Sequence, residues 1–180
     1  MKYIFIDPSG SFNEGKGHTG IVIIKDNDWS TLKHISLAAK DYDSRTQYWA
    51  DVMDTVRLHT FYVDPEPRTN LDTKVIIESF MIRTQGFLMG KMPETIQMIG
   101  ALEYYLESNI GVDYVLQTPT QAKSRFKDEA LSSYIPNFER RSNGRYYLNG
   151  KQINDHVRDA LKHLLYFIRY KTERNPHGKS

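Results

Sequence analysis

The chain has 180 residues, 39% of them hydrophobic and 26% charged, with a net charge of +2 and no cysteine. This length suits one domain with a substantial core, and the absence of thiols excludes disulfides and thiolate metal sites and fits a reducing, cytoplasmic setting. No apolar run approaches the roughly 20 residues that span a bilayer, the apolar N-terminal run is too short for a secretory signal, and the small net charge is not the footprint of a strongly basic nucleic-acid binder.

The chain opens KYIFID, which reads as a strand ending on Asp7. A Gly/Ser/Asn turn follows, then IVIIK (21–25) as a second strand and TLKHISLA (31–38) as a third. Asp43 or Ser44 can cap the next helix, in which Trp49, Val52, Met53 and Val56 recur at three and four. Residues 65–73 read as a linker within the domain. KVIIESF (74–80) is a continuous apolar strand that suggests burial on both faces, and a Gly-containing loop comes after it.

PETIQMIGALEYYLES (93–108) has Pro at the first helical position and Glu in the first turn, so it reads as a helix. VDYVLQT (112–118) is a further strand, PTQAKSRF (119–126) a short helix, and 140–151 an exposed loop or small hairpin. The last helix runs from about Asn154 to Arg169, with Val157, Ala160, Leu161, Leu164, Leu165 and Ile168 on its apolar face. Three early strands followed by alternating helices and strands imply an α/β domain with a mixed sheet. The cations are unevenly placed. Lys123, Arg125, Lys127, Arg140, Arg141, Arg145 and Lys151 gather between 121 and 151 against three acids, as a solvated surface or a phosphate-binding face.

Asp7 and Glu78 both stand at the ends of strands too apolar to welcome them. A buried ionised carboxylate costs several kcal/mol unless it is paired or bound to metal. Asp155, His156 and Asp159 lie in the first turns of the last helix at spacings of three and four, so they can project near one face. Singly, each has an ordinary reading: Asp7 as a turn residue, Glu78 paired with Lys74 or Arg83, Asp155 as a helix cap. Together they make an oxygen-rich cluster that suits Mg²⁺ or Mn²⁺ better than Zn²⁺ and can serve a two-metal phosphodiester displacement.

These anchors, IDPSG with Asp7, TGIVII, VIIESF with Glu78, YVLQTPTQAKSRF, and HVRDALKHLLYF with His156 and Asp159, resemble the RuvC-type Holliday junction resolvases of the ribonuclease H-like superfamily, in character closest to short phage-encoded members. The resemblance implies a single nuclease domain over 1–180, with a five-stranded mixed sheet whose first three strands are antiparallel, flanked by helices. It implies a homodimer, two Mg²⁺ ions per site with Mn²⁺ able to substitute, and Asp7, Glu78, His156 and Asp159 as catalytic and metal-binding residues. Asp155 is an extra acid that either replaces or supplements His156. Lys123 matches a basic residue that reaches the scissile phosphate, its alternative being an ordinary exposed lysine. Phe80 or Met81, with Phe87 further on, matches a junction-probing side chain, although Phe80 could equally continue into the core. Arg125, Arg140, Arg141 and Arg145 are candidate DNA contacts.

The expected function is therefore a structure-selective, Mg²⁺-dependent endonuclease that resolves four-way DNA junctions by paired nicks, in a bacterial or phage-infected cytoplasm and with no membrane partner. The alternatives are a less selective branched-DNA, flap or RNA–DNA hybrid nuclease, and a junction-binding protein without hydrolysis. Concentrated negative charge facing phosphate argues against the last.

Overall fold

In the computed structural model, residues 1–13, 15–61, 73–80 and 94–172 are described. Strands β1 (Lys2–Asp7), β2 (His18–Lys25), β3 (Asp28–Ala38), β4 (Thr73–Glu78) and β5 (Tyr114–Gln117) form one sheet in the order β3-β2-β1-β4-β5. The first three are antiparallel, and β4 and β5 run parallel to β1 and to each other. Asp26 and Asn27 both adopt positive φ (53° and 58°), which makes the β2–β3 connection a tight two-residue hairpin. The tight turn carries β3 back to Asp28, three residues before the expected start, and β2 begins at His18 rather than at 21.

Period-two alternation divides the apolar strands between two cores. Phe5 and Ile76 face one side, while Ile4, Ile6, Val75 and Ile77 face the other. The second side is covered by α1 (Arg45–Phe61) and α2 (Glu94–Tyr105). Ser44 Oγ accepts the Gln47 amide and so caps α1, whose Tyr48, Val52, Val56 and Thr60 form a buried stripe at spacing four. Buried Met98, Ile99 and Leu102 line α2. The buried stripes of these two helices pack on the chain's own core, while Leu58 and Phe61 of α1 and Tyr104 of α2 stay exposed.

The first side is covered by α4 (Asp155–Phe167), which follows the short α3 (Pro119–Lys123) and a second, three-stranded sheet: β6 (Phe138–Arg140), β7 (Tyr146–Leu148) and β8 (Lys151–Ile153). The expected loop or hairpin over 140–151 is this wider antiparallel ribbon, because Phe138, Tyr146, Leu148 and Ile153 alternate inward and join the core under α4. Thr118 and Gln121 form a capping box for α3. No helix among the described residues is long and apolar enough to cross a membrane.

Candidate active site

Parallel pairing places the two strand-end acids. Ile6 of β1 pairs with Ile77 of β4, so the next residues, Asp7 and Glu78, stand side by side at the C-terminal ends of two adjacent interior strands. Both are buried, at 5% and 7% exposure. On the other flank, Asp7 faces Gly20 of β2. A Cβ on Gly20 would lie 2.3 to 2.4 Å from the His156 backbone carbonyl and the Val157 nitrogen. Glycine at this point lets the first turn of α4 sit directly on β2.

The helix start is fixed from below. Asn154 caps it, its Oδ1 accepting the Val157 amide at 3.0 Å while its Nδ2 donates to Ser36 Oγ at 2.7 Å. His156 Nδ1 then lies 2.7 Å from Asp7 Oδ2, and Asp159, a turn later, completes a group with Asp7 and Glu78 whose ligand atoms lie within 4.8 Å of one another. The turn after Asp7 is held by its own network. The Ser9 amide donates to Thr19 Oγ1, which bonds the hydroxyl of fully buried Tyr48, and that hydroxyl donates to the Ser9 carbonyl. The same connection leans on α2, where the Gly10 amide donates to Thr95 Oγ1 at 3.1 Å. The result is an open cleft of about 320 Å³ lined by Asp7, Ser9, Glu78, Phe80, Thr95, Lys123, His156 and Asp159.

Cations crowd the acids. The Lys123 ammonium bridges Glu78 and Asp159 at 2.7 Å each, and the Lys162 ammonium bridges Asp159 at 2.8 Å and Asp128 at 2.6 Å. The buried His163 ring brings Nε2 to 3.0 Å from Glu78 Oε2, without hydrogen-bond geometry.

Burial dominates Asp7 and, despite the His156 hydrogen bond, raises its pKa to about 7. Burial would also raise Glu78, but its contacts with His163 and Lys123 win and hold it at about 2. For His156 burial favours the neutral ring, yet the Asp7 hydrogen bond and the charges of Asp7 and Asp159 leave its pKa raised. Lys123 is likewise raised, its acid partners outweighing burial.

The residues fit a divalent cation. The donors are oxygens with one imidazole, which suits Mg²⁺ or Mn²⁺. Glu78 Oε2 is buried without a hydrogen bond, and the Lys123 ammonium already satisfies two of the acids as a cation would.

No protein-family model matches the chain, and no curated protein matches it. Among solved structures, T. thermophilus RuvC in complex with Holliday junction substrate superposes with a TM-score of 0.58, over 96% of each chain, at 16% identity. The chain has a RuvC-like fold. The mixed sheet with its antiparallel start is that of the ribonuclease H-like fold, as the resemblance implies.

Within this RuvC-like frame, the structure brings together Asp7, Glu78, Lys123, His156 and Asp159. It does not include Asp155, which is 82% exposed, points to an ion pair with Arg158 at 2.8 Å, and leaves the capping role to Asn154. A residue one position before His156 projects about 100° away on the helix, so the spacing of four to Asp159 did not bring it to the cluster. Phe80 is not core: it is 45% exposed at the cleft. Lys123 is not a free surface lysine. Glu78 pairs with Lys123 and His163 rather than with Lys74. Arg83, Met81 and Phe87 lie outside the described residues.

Arg125 stacks on Tyr170, while Arg140, Arg141 and Arg145 belong to the ribbon rather than the cleft. Sequence reasoning missed Gly20, Lys162 and His163. His163 is four residues after Asp159, so helical spacing alone could have aligned it with the site; it was hidden by its apolar neighbours.

Proposed function

We propose that this chain is a metal-dependent endonuclease that cuts four-way or branched DNA. The observation that carries the reading is the convergence of Asp7, Glu78 and Asp159 at the C-terminal ends of β1 and β4, beside His156 and Lys123, in a RuvC-like fold. The similar structure is described as a complex with a Holliday junction substrate, which favours a junction over other DNA.

Asp7, Glu78, Asp159 and His156 would hold Mg²⁺, or Mn²⁺ in its place, as two ions per site. Bound there, the ions would activate water and stabilise charge on the phosphate oxygens. The protein's part is preorganisation. The paired strands β1 and β4 fix two carboxylates before any ligand arrives, and the Asn154 cap fixes the third acid and the histidine. His156 can hold a proton at Nδ1 against Asp7. Lys123, 34% exposed, reaches from the acids toward the cleft, where its ammonium can receive a phosphate oxygen. Exposed Phe80 offers a ring on which an unpaired base can stack.

Paired nicks in opposing strands need two sites, so the acting species is a two-fold homodimer of a domain spanning 1–180, in the cytoplasm. The deciding experiment incubates the protein with a four-way junction, a flap, a linear duplex and an RNA–DNA hybrid, each with Mg²⁺, Mn²⁺ or Ca²⁺. The reading expects symmetric junction cleavage with Mg²⁺ and Mn²⁺. Preferential cutting of the flap or hybrid would move the function to a less selective nuclease, and binding without cutting under every condition would leave a junction-binding protein.

A further inference from the structure

The ribbon β6–β8 concentrates charge away from the cleft. The ribbon, residues 138–153, holds Arg140, Arg141, Arg145 and Lys151 against the single acid Glu139, a charge of +3 in a chain whose net charge is +2, so the remainder sums to −1. All four side chains are exposed, while the inward residues of the ribbon are locked into the core.

Strand pairing decides where this charge points. Arg140 pairs with Tyr146, and Tyr146 with Ile153. The turn 141–145 therefore projects from the end of the ribbon at which the chain passes through Asn154 into α4, the helix that carries His156 and Asp159. The two are also joined by side chains. Tyr146 packs against the guanidinium groups of Arg140 at 5.7 Å and of Arg158, in α4, at 4.5 Å. Arg158 pairs with Asp128, Asp128 with Lys162, and Lys162 with Asp159.

The turn is ordered before any ligand arrives. Arg141 lies 3.9 Å from the Tyr147 ring centroid and pairs with Glu139 at 2.6 Å. The Arg145 amide donates to Asn143 Oδ1, and its guanidinium donates to Gln152 Oε1. Guanidinium groups held in this way lose less entropy on meeting a partner than free ones.

We propose that the 141–145 turn is a second DNA contact, which grips the sugar-phosphate backbone of the duplex arm leaving the cleft through Arg141 and Arg145. It rests on the nuclease reading for the position of that arm. Guanidinium–phosphate contacts of this kind position DNA without reading its sequence.

The test is junction binding by wild type and by Arg141→Gln/Arg145→Gln, followed by fluorescence anisotropy in chelator across a salt titration. Each phosphate contact adds about 0.9 to the slope of log affinity against log salt. The double variant should lose about 2 from the slope, and Arg141→Lys/Arg145→Lys should restore most of it. If the double variant melts below wild type, Arg145→Gln alone should lose about 1. An unchanged slope, or no salt-dependent binding by wild type, overturns the proposal. So does tighter binding of polyglutamate than of the junction, which would assign the turn to an acidic protein partner. Wild-type cleavage with Mg²⁺ is scored separately. Cutting with an unchanged slope removes only the ribbon contact, and a lost slope without cutting removes only the nuclease reading.

Discussion

Gly20 and His156 meet backbone to side-chain position: a Cβ on Gly20 would stand 2.3 Å from the carbonyl carbon of His156. Because Gly20 also flanks Asp7 in the sheet, the absence of one methyl group sets how closely the helix acids approach the strand acids. Gly20→Ala must push the first turn of α4 outward, since the obstacle is backbone. Overpacking of this kind costs about 1–3 kcal/mol. The variant should melt at lower temperature and lose at least tenfold in junction cleavage, roughly the effect of misplacing groups that must act together. Wild-type cleavage with an unchanged melting temperature would show that the close approach is not needed.

On the proposed nuclease reading, a divalent cation would compete with Lys123 for Glu78 and Asp159. Lys123→Met removes the ammonium that bridges them. The metal-free variant should be less stable than wild type, yet its melting temperature should rise more on adding Mg²⁺, because the ion no longer displaces a resident cation. Cleavage should still fall, through loss of the phosphate contact. A smaller Mg²⁺-induced rise than in wild type would argue that Lys123 supports ion binding instead.

His156 and Asp155 are neighbours with opposite expected importance. His156 bonds Asp7, whereas Asp155 faces solvent and Arg158. His156→Ala should lose on the order of 10²-fold in cleavage rate, in line with removal of a positioned group. Asp155→Asn should stay within a few-fold of wild type, because only an exposed ion pair is lost. Cleavage by both variants over a range of pH, at fixed Mg²⁺, makes the comparison. A dead Asp155→Asn beside an active His156→Ala would reverse the roles.

Metal-free stability should depend on pH in a definite sense. Asp7, held up at about 7 by burial, and His156, raised by Asp7 against the effect of burial, both bind protons more tightly in the folded chain. The stability they contribute is complete below their unfolded pKa values, about 3.9 and 6.5, and is lost as pH rises through the folded values. Glu78, held down at about 2, contributes in the opposite sense: its share is present above the unfolded value and is lost as pH falls toward 2. In chelator, the melting temperature should therefore decline by several degrees from mildly acidic to mildly alkaline pH, about 2–4 °C for each kcal/mol at this chain length. A scan of melting temperature with pH checks this, and a rise over that range would contradict the proton-sharing between Asp7 and His156.

Much of this geometry was legible because it is local or periodic. KYIFID and KVIIES announce buried strands, and an acid closing each is visible without a structure. Register then does the rest, since Ile6 opposite Ile77 obliges Asp7 to stand beside Glu78. What was not legible depends on non-local approach. Nothing around Gly20 says that a helix lies on it, and no spacing rule links His163 to Glu78, 85 positions earlier. The ribbon was legible only as a loop or small hairpin, for another reason. Its strands have three residues each, too short to show alternation, and their inward members are recognisable only once α4 is seen to cover them. Asn154 rather than Asp155 caps α4 because both residue types cap well, and sequence alone does not choose between adjacent candidates.

On the proposed reading, Asp7, Glu78 and Asp159 together hold the metal of a DNA-cutting site. The most direct measurement is single-turnover cleavage of a four-way junction by Asp7→Asn in Mg²⁺, alongside junction binding by the same variant. The substitution keeps the shape and removes the charge. Cleavage should fall on the order of 10²-fold or more, as for other losses of a preorganised electrostatic group, while binding stays near wild type. Cleavage at the wild-type rate would show that Asp7 holds no metal needed for cutting.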